Sequence, residues 1–315
     1  MLSMLLKKTA NKTKSLTSGL SRIWIVLKSM KHEIIAFVLF ILIRLPNLGN
    51  DFFNTDVWRW KARIYDFGSG VFGFDFAQTI QKYHPGVILM WLGAAAVKFY
   101  NLFYDIFVGS PPRDDAISTV FELHFAQKFF IVLAIGAALS FVFCALRKRF
   151  GVKYAWIVFA LLMLDPFYAG LTRAVHLEGL MSTFMLASFT VIPYSAFFAG
   201  LAILTKTSAL FLLPFTGIIL FLKFWSRKWE FGSSLKTALH IYWKWLLIIV
   251  LVFVAFWPAM WVTPIKALET LYKGIFTIGV EKGHQHIYFG YSVNDPGFSF
   301  YPVVLAFKTS IYCLD

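Results

Sequence analysis

The chain has 315 residues, of which 59% are hydrophobic and 15% are charged, and its mean hydropathy is +0.68. These values exclude a water-soluble globular protein, which would have to expose large apolar patches to water. The net charge of +14 does not indicate nucleic-acid binding, because the basic residues fall between apolar segments and form no stripe on one soluble face. Two cysteines are too few for a disulfide framework or a cysteine-ligated metal cluster.

In lipid every backbone polar group must be hydrogen-bonded within the protein, which favours helices. We therefore predict an all-α, polytopic transmembrane bundle of about eight spans in a cell membrane, in contact with membrane lipids. Residues 1–32 are rich in lysine and are predicted to be a cytoplasmic basic tail, either solvated or with a short interfacial piece at 23–27. The first span follows at 34–45, and Arg44 marks its outer end.

The charge rule decides how the next apolar segments are counted. Residues 87–108 are apolar enough for a second span, but that count would place the cluster Arg147, Lys148 and Arg149 outside. We therefore expect 87–108 to lie along or dip into the outer face, as part of a helical, juxtamembrane outer loop over 49–121. Residues 123–146 then form the second span.

The remaining spans complete one membrane core over 33–315. Residues 154–170 return outward. Residues 179–204 are too many for one helix and too few for two full crossings of a core about 30 Å thick, so we favour a tight hairpin near Pro193. Three further spans follow, at 208–222, at 241–261 and from 298 onward. The last one stops at residue 315, and we expect the core to be incomplete.

Acidic and basic side chains from distant segments fall on the predicted outer face. Asp56 follows the first span, with Arg59 three residues later, so the two share a face if 55–65 is helical. A turn at Tyr83, His84, Pro85 and Gly86 precedes the second apolar segment. A polar link after the third span carries Arg173, His176 and Glu178, and Lys206 follows the predicted hairpin.

The order of these motifs resembles the GT-C superfamily of polyprenyl-phosphate-dependent glycosyltransferases. It is most similar to the branch of the protein O-mannosyltransferases and the bacterial lipid A aminoarabinose transferase. The resemblance is carried by Asp56, by the His84-Pro85 turn with 86–93, by the link from Arg173 to Glu178, by Leu204-Thr205-Lys206, and by Asp295-Pro296-Gly297-Phe298 with 300–309. Family members begin with an acidic pair, whereas Val57 follows Asp56 here, and they usually run several spans further.

The resemblance implies a membrane glycosyltransferase that moves a sugar, with inversion, from a polyprenyl-phosphate donor to a protein, lipid or glycan acceptor at the extracytoplasmic face. Asp56 is expected to be the general base and Glu178 the second acid of the site. Arg59, His84, Arg173 and Lys206 are expected to bind the donor phosphate, and His176 to contact the same negative charge. The sugar-lipid is a co-substrate, and the reaction is expected to need neither a metal nor another cofactor.

Each of these residues has a structural alternative. In these alternatives, Asp56 is a helix cap or a surface carboxylate, Arg59 faces headgroups, and His84 only fixes its turn. In the same way, Arg173 would form a salt link with Glu178, and Lys206 would extend to headgroups. A zinc site at Glu281, His284 and His286 is weakly indicated, because the spacing fits no known ligand pattern.

Two other functions remain open from the sequence: a non-catalytic or degenerate accessory protein, and a transporter. A transporter would need polar residues in the middle of its spans, whereas the charges here lie at the outer boundary. The loss of a second carboxylate at Val57 fits an accessory protein.

Overall fold

A computed structural model of the chain describes residues 28–50, 53–82, 84–113, 116–228, 231–277 and 286–308. These residues are nearly all α-helical. The first seven helices are α1 (Lys31–Arg44), α2 (Thr55–Phe72), α3 (Val87–Val108), α4 (Ile117–Phe150), α5 (Val152–Leu164), α6 (Pro166–Leu171) and α7 (Leu177–Thr190). The others are α8 (Ser195–Thr205), α9 (Leu212–Lys228), α10 (Phe231–Phe256), α11 (Ala259–Val262), α12 (Pro264–Lys273) and α13 (Phe300–Lys308). Short 3-10 turns lie at Phe76–Thr79, Ile192–Tyr194 and Thr207–Phe211.

The prediction of an all-α fold needs one correction, because the segment between α12 and α13 contains a small β-hairpin. Its strands are β1 (His286–Tyr288) and β2 (Tyr291–Val293), which pair antiparallel with His286 opposite Val293. Most of the basic tail at 1–32, the residues Tyr83, Glu281 and His284, and the end of the last predicted span lie outside the described residues.

Four helices in the described part of the chain are long and apolar enough to cross a membrane: Val87–Val108, Ile117–Phe150, Thr207–Trp225 and Phe231–Phe256. Helix α1 has 14 residues and α5 has 13, which at about 1.5 Å per residue gives roughly 20 Å. A bilayer core is about 30 Å thick. The structure therefore supports a helical membrane protein, and the count of eight spans stays a prediction.

The hairpin predicted near Pro193 is present. Helices α7 and α8 have 14 and 11 residues, and the 3-10 turn at Ile192–Tyr194 joins them. Each arm is shorter than a full crossing, which explains why this segment fitted neither one span nor two. Both open ends of the hairpin lie together, because Lys206 after α8 contacts Glu178 at the start of α7.

The bundle has two distinguishable ends. At one end α1 begins beside the last turn of α4, where Arg147 Nε donates to Glu33 Oε1 at 2.7 Å. Lys148 and Arg149 lie in the same turn of α4. We call this the basic end. At the other end the chain leaves α1 next to the segment between α6 and α7, where Arg173 donates to the Pro46 carbonyl.

Arg44 is the last residue of α1, at the end of the bundle away from the basic end. Its side chain is buried, Nε donates to Thr172 Oγ1 at 2.8 Å, and Nη2 donates to the Met163 carbonyl at 3.0 Å. Its guanidinium also lies 4.9 Å from the ring centroid of Phe40. A guanidinium tolerates burial when its donors are satisfied in this way. Arg44 therefore holds α1 to α5 and α6 inside the bundle.

Helix α3 covers only part of α4. Trp91 and Leu92 of α3 line one cavity with Ala138 and Phe141 of α4, whereas the end of α3 lines another with Phe121 and Glu122. The two helices therefore run antiparallel, and the first turns of α3 lie near the middle of α4. The described packing of α3 does not extend to Arg147 at the basic end.

Candidate functional site

Asp56 lies in the first turn of α2, at the end of the bundle away from the basic end. Asn54 begins this helix, because its Oδ1 accepts a hydrogen bond from the Val57 amide at 2.9 Å. Asp56 is therefore not the capping residue. Its Oδ1 lies 3.4 Å from Arg59 Nη1, and both side chains are exposed. The helix and the shared face predicted for 55–65 are confirmed, and the helix continues to Phe72.

His176 connects this carboxylate to Glu178 on α7. Its Nε2 lies 3.9 Å from Asp56 Oδ2, and its Nδ1 contacts Glu178 Oε2. Helix α7 starts close to α6, because a Cβ at Gly179 would lie 2.4 Å from the Leu171 carbonyl oxygen. That close approach brings Glu178 beside the loop that carries His176.

Lys206 completes the cluster from the end of α8. Its Nζ donates to Glu178 Oε1 at 2.5 Å, and its side chain is 24% exposed. The lysine thus pairs with a carboxylate of the cluster, which the headgroup alternative did not foresee. We call these five residues the site cluster: Asp56, Arg59, His176, Glu178 and Lys206.

His84 lies next to the site cluster. The Gly86 amide donates to the Thr205 carbonyl at 3.1 Å, and Thr207 Oγ1 lies 3.4 Å from His84 Nδ1. Gly86 has a φ of +58°, and a Cβ there would lie 2.3 Å from the Trp60 ring, so this position needs glycine. The turn therefore fixes His84 against the residue that follows Lys206.

Arg173 lies at the same end of the bundle and has a different partner. Its Nη2 donates to the Pro46 carbonyl at 2.5 Å. The salt link between Arg173 and Glu178 that the sequence left open is not formed in the described structure. Glu178 is paired with Lys206 instead and also contacts His176.

Burial sets the protonation state of the imidazole. Loss of solvent lowers the pKa of His176 below its ordinary value, the Lys206 charge acts in the same direction, and the Asp56 carboxylate opposes both. His176 is therefore neutral at pH 7. The sequence predicted His176 only as a phosphate contact. Its position between the carboxylates of Asp56 and Glu178 was not foreseen, because Asp56 and His176 are 120 positions apart in the sequence.

Among the described residues no group of three or more His, Cys, Asp and Glu side chains is arranged to hold a metal ion. Of the weakly indicated zinc ligands, Glu281 and His284 lie outside the described residues, and His286 begins β1.

An apolar groove of about 1090 Å³ lies among the helices on the basic-end side of the His84 turn. Residues of α3, α4, α7, α8, α10 and α11 line it, together with Tyr194 of the hairpin turn. Its walls include Trp91, Phe141, Tyr194, Phe256 and Trp261. Ile88 and Leu201 also line the groove. They lie within four residues of Gly86 and Thr205, whose backbone bond fixes the His84 turn. The groove therefore runs from the hairpin tip toward the site cluster.

Comparisons with protein-family models, with curated proteins and with solved structures found no match to the chain. The assignment to the GT-C superfamily therefore stays a prediction that rests on the motifs quoted above.

Proposed function

We propose that the chain is an integral membrane glycosyltransferase that moves a sugar from a polyprenyl-phosphate donor to a protein, lipid or glycan acceptor, with inversion and with Asp56 as the general base. One observation carries this proposal. Segments that are far apart in the sequence bring two carboxylates, two cations and an imidazole into one contiguous cluster. A polar cluster at the edge of an apolar bundle is costly unless it serves binding or chemistry.

The cluster supplies the groups that sugar transfer from a lipid phosphate requires. Asp56 is 54% exposed, so an acceptor hydroxyl can reach it and lose its proton to it. Arg59 and Lys206, with His84 beside them, offer donors for the phosphate oxygens as negative charge develops on the leaving group. Glu178 keeps Lys206 at the site. Arg173 already donates a hydrogen bond to the Pro46 carbonyl, so it has a smaller part in phosphate binding.

The apolar groove favours a donor with a long hydrocarbon chain. It lies among helices that include three apolar enough to cross a membrane, and it is lined by Ile88 and Leu201, which lie within four residues of Gly86 and Thr205 at the site end. A lipid whose phosphate binds at the site cluster would place its chain along this groove. The aromatic residues there match the apolar, largely preformed character of lipid and cofactor sites.

The basic end suggests the orientation. Arg147, Lys148 and Arg149 end α4, and short basic segments of membrane proteins are retained on the cytoplasmic side. The site cluster lies at the opposite end of the bundle. We therefore propose a multi-pass protein of the cell membrane with a cytoplasmic N-terminus, in which α3 enters only the outer half of the bilayer and the site is extracytoplasmic.

The decisive experiment uses the full chain in proteoliposomes with a radiolabelled polyprenyl-phosphate sugar. The wild type is expected to release or transfer the sugar. Asp56→Asn is expected to lower the rate by about 100-fold or more, because the general base is lost. Asp66→Asn is the matched control, since Asp66 is an exposed carboxylate on the same helix.

Equal rates in the wild type and Asp56→Asn would contradict the proposal. If neither protein turns over the donor, a non-catalytic accessory role is favoured. Accumulation of the unmodified sugar-lipid or another solute inside the liposomes would instead favour transport.

A further inference from the structure

We propose that His176 is the proton relay behind Asp56: it takes from Asp56 the proton that the acceptor hydroxyl loses, while Glu178 orients its ring. This inference rests on the proposed sugar transfer and gives His176 a part in it. The motifs of the sequence suggested only that this residue contacts phosphate.

The two ring nitrogens of His176 face carboxylates from two different helices. Nδ1 contacts Glu178 Oε2, and Nε2 lies 3.9 Å from Asp56 Oδ2. A neutral imidazole carries a proton on only one nitrogen. Glu178 Oε2 is buried and accepts no hydrogen bond in the described structure. A proton on Nδ1, which contacts this oxygen, would supply that bond and leave the lone pair of Nε2 on the side of Asp56. A carboxylate fixes the tautomer of the imidazole in the same way in hydrolase triads.

The side of the relay away from Asp56 is held firmly. Glu178 Oε1 accepts a hydrogen bond from Lys206 Nζ at 2.5 Å, so the carboxylate that orients the ring has its own anchor. Asp56 is the more exposed partner, and its side chain has room to move. A shift of about 1 Å closes the gap between Asp56 and Nε2.

The charges around His176 favour a neutral ring that can still accept a proton. Burial and Lys206 lower its pKa, whereas Asp56 raises it. The ionisable groups that face it or its partners are Asp56 and Arg59 on α2, Glu178 on α7 and Lys206 after α8. Once protonated, the imidazolium would lie between two carboxylates, which stabilise it.

In the proposed transfer each bond formed is matched by a bond broken, and the proton has a defined path. The acceptor oxygen forms a bond to the anomeric carbon of the sugar, and the bond from that carbon to the phosphate oxygen breaks. The phosphate leaves with the electron pair. The proton of the acceptor hydroxyl passes to Asp56 and then to Nε2 of His176, which restores the Asp56 carboxylate. Water takes the proton from His176 after the products leave.

The first test does not depend on turnover. The full chain with nitrogen-15-labelled histidine is placed in lipid nanodiscs, and the His176 resonance is assigned with His176→Gln. We expect the Nδ1-protonated tautomer and a pKa below 6.5. In Asp56→Asn that pKa should fall further, since a carboxylate that raises it has been removed. A neutral ring with its proton on Nε2 overturns the relay. So does a His176 pKa that is the same in Asp56→Asn and in the wild type.

The second test measures transfer by His176→Ala. We expect kcat to fall by about 10-fold to 100-fold, with little change in the KM for the donor, and added imidazole to restore part of the rate. In the wild type, protonation of His176 at acidic pH should lower the rate of transfer. This loss of rate should be absent in His176→Ala. His240→Gln is the control, because His240 is an exposed histidine on α10.

A loss that imidazole does not restore, or a rise in the KM for the donor at unchanged kcat, would assign His176 a structural or binding role and overturn the relay. A wild type without transfer refutes the proposed function. The resonance experiment then still decides whether Asp56 and His176 are coupled.

Discussion

At the basic end of the bundle Glu33 is 3% exposed and is paired with Arg147, whereas at the site end Asp56 and Glu178 are 54% and 27% exposed. The pair at the basic end is a closed contact between α1 and α4. The site cluster keeps part of its polar surface open and distributes its charge over three helices. Buried pairs are costly to break, and open ones contribute little to stability but remain accessible to a ligand. The same residue types therefore serve structure at one end and binding at the other.

The largest effect is expected from Arg147→Ala. Removing the guanidinium leaves the buried Glu33 carboxylate without this partner, and the free energy of unfolding should fall by about 3 kcal/mol. Chemical unfolding in detergent micelles, followed by tryptophan fluorescence, measures it. Arg149→Ala serves as the exposed control on the same helix. Unchanged stability in Arg147→Ala would remove the distinction between the two ends.

Lys206→Ala should produce the opposite pattern. Its pair with Glu178 is partly exposed, so the free energy of unfolding should change by about 1 kcal/mol or less. Affinity for a polyprenyl phosphate should fall by about 10-fold, because a cation near the leaving phosphate is lost. Binding of a fluorescent polyprenyl phosphate to the protein in nanodiscs measures the second quantity. A large loss of stability with unchanged binding would make this lysine a structural residue.

The smallest effect concerns pH. The pKa of His176 is lowered on folding, so between that value and 6.5 the unfolded chain binds more protons than the folded one. Its contribution to stability is therefore complete above pH 6.5 and decreases as the pH falls through that window. Unfolding curves at pH 7.5 and at about pH 5 should differ less in His176→Gln than in the wild type. Parallel curves for the two proteins would contradict the lowered pKa.

The sequence predicted the features that depend on nearest neighbours. Hydropathy predicted helices and apolar segments, and the bounds expected for 87–108 agree with those of α3. The excess length of 179–204 predicted the hairpin that the turn at Ile192–Tyr194 forms. Spacing alone predicted that Asp56 and Arg59 share a face, because residues three apart in a helix are neighbours.

Other features could not be derived from local patterns. Arg44 is followed by Leu45 and Pro46 at the end of an apolar segment, which is also the pattern of a boundary residue, yet it is buried against Thr172. The sequence suggested only Arg173 as a salt-link partner for Glu178, whereas the structure pairs Glu178 with Lys206.

The sequence by itself therefore determined the helical class of the chain, its apolar segments and the grouping of charges near the ends of these segments. Only the tertiary structure decided which charges meet. Lys206 and Glu178 are 28 positions apart, and Arg44 and Thr172 are 128 apart. Contacts over such separations depend on how helices pack and rotate against one another, and packing is a property of many residues together rather than of a local pattern.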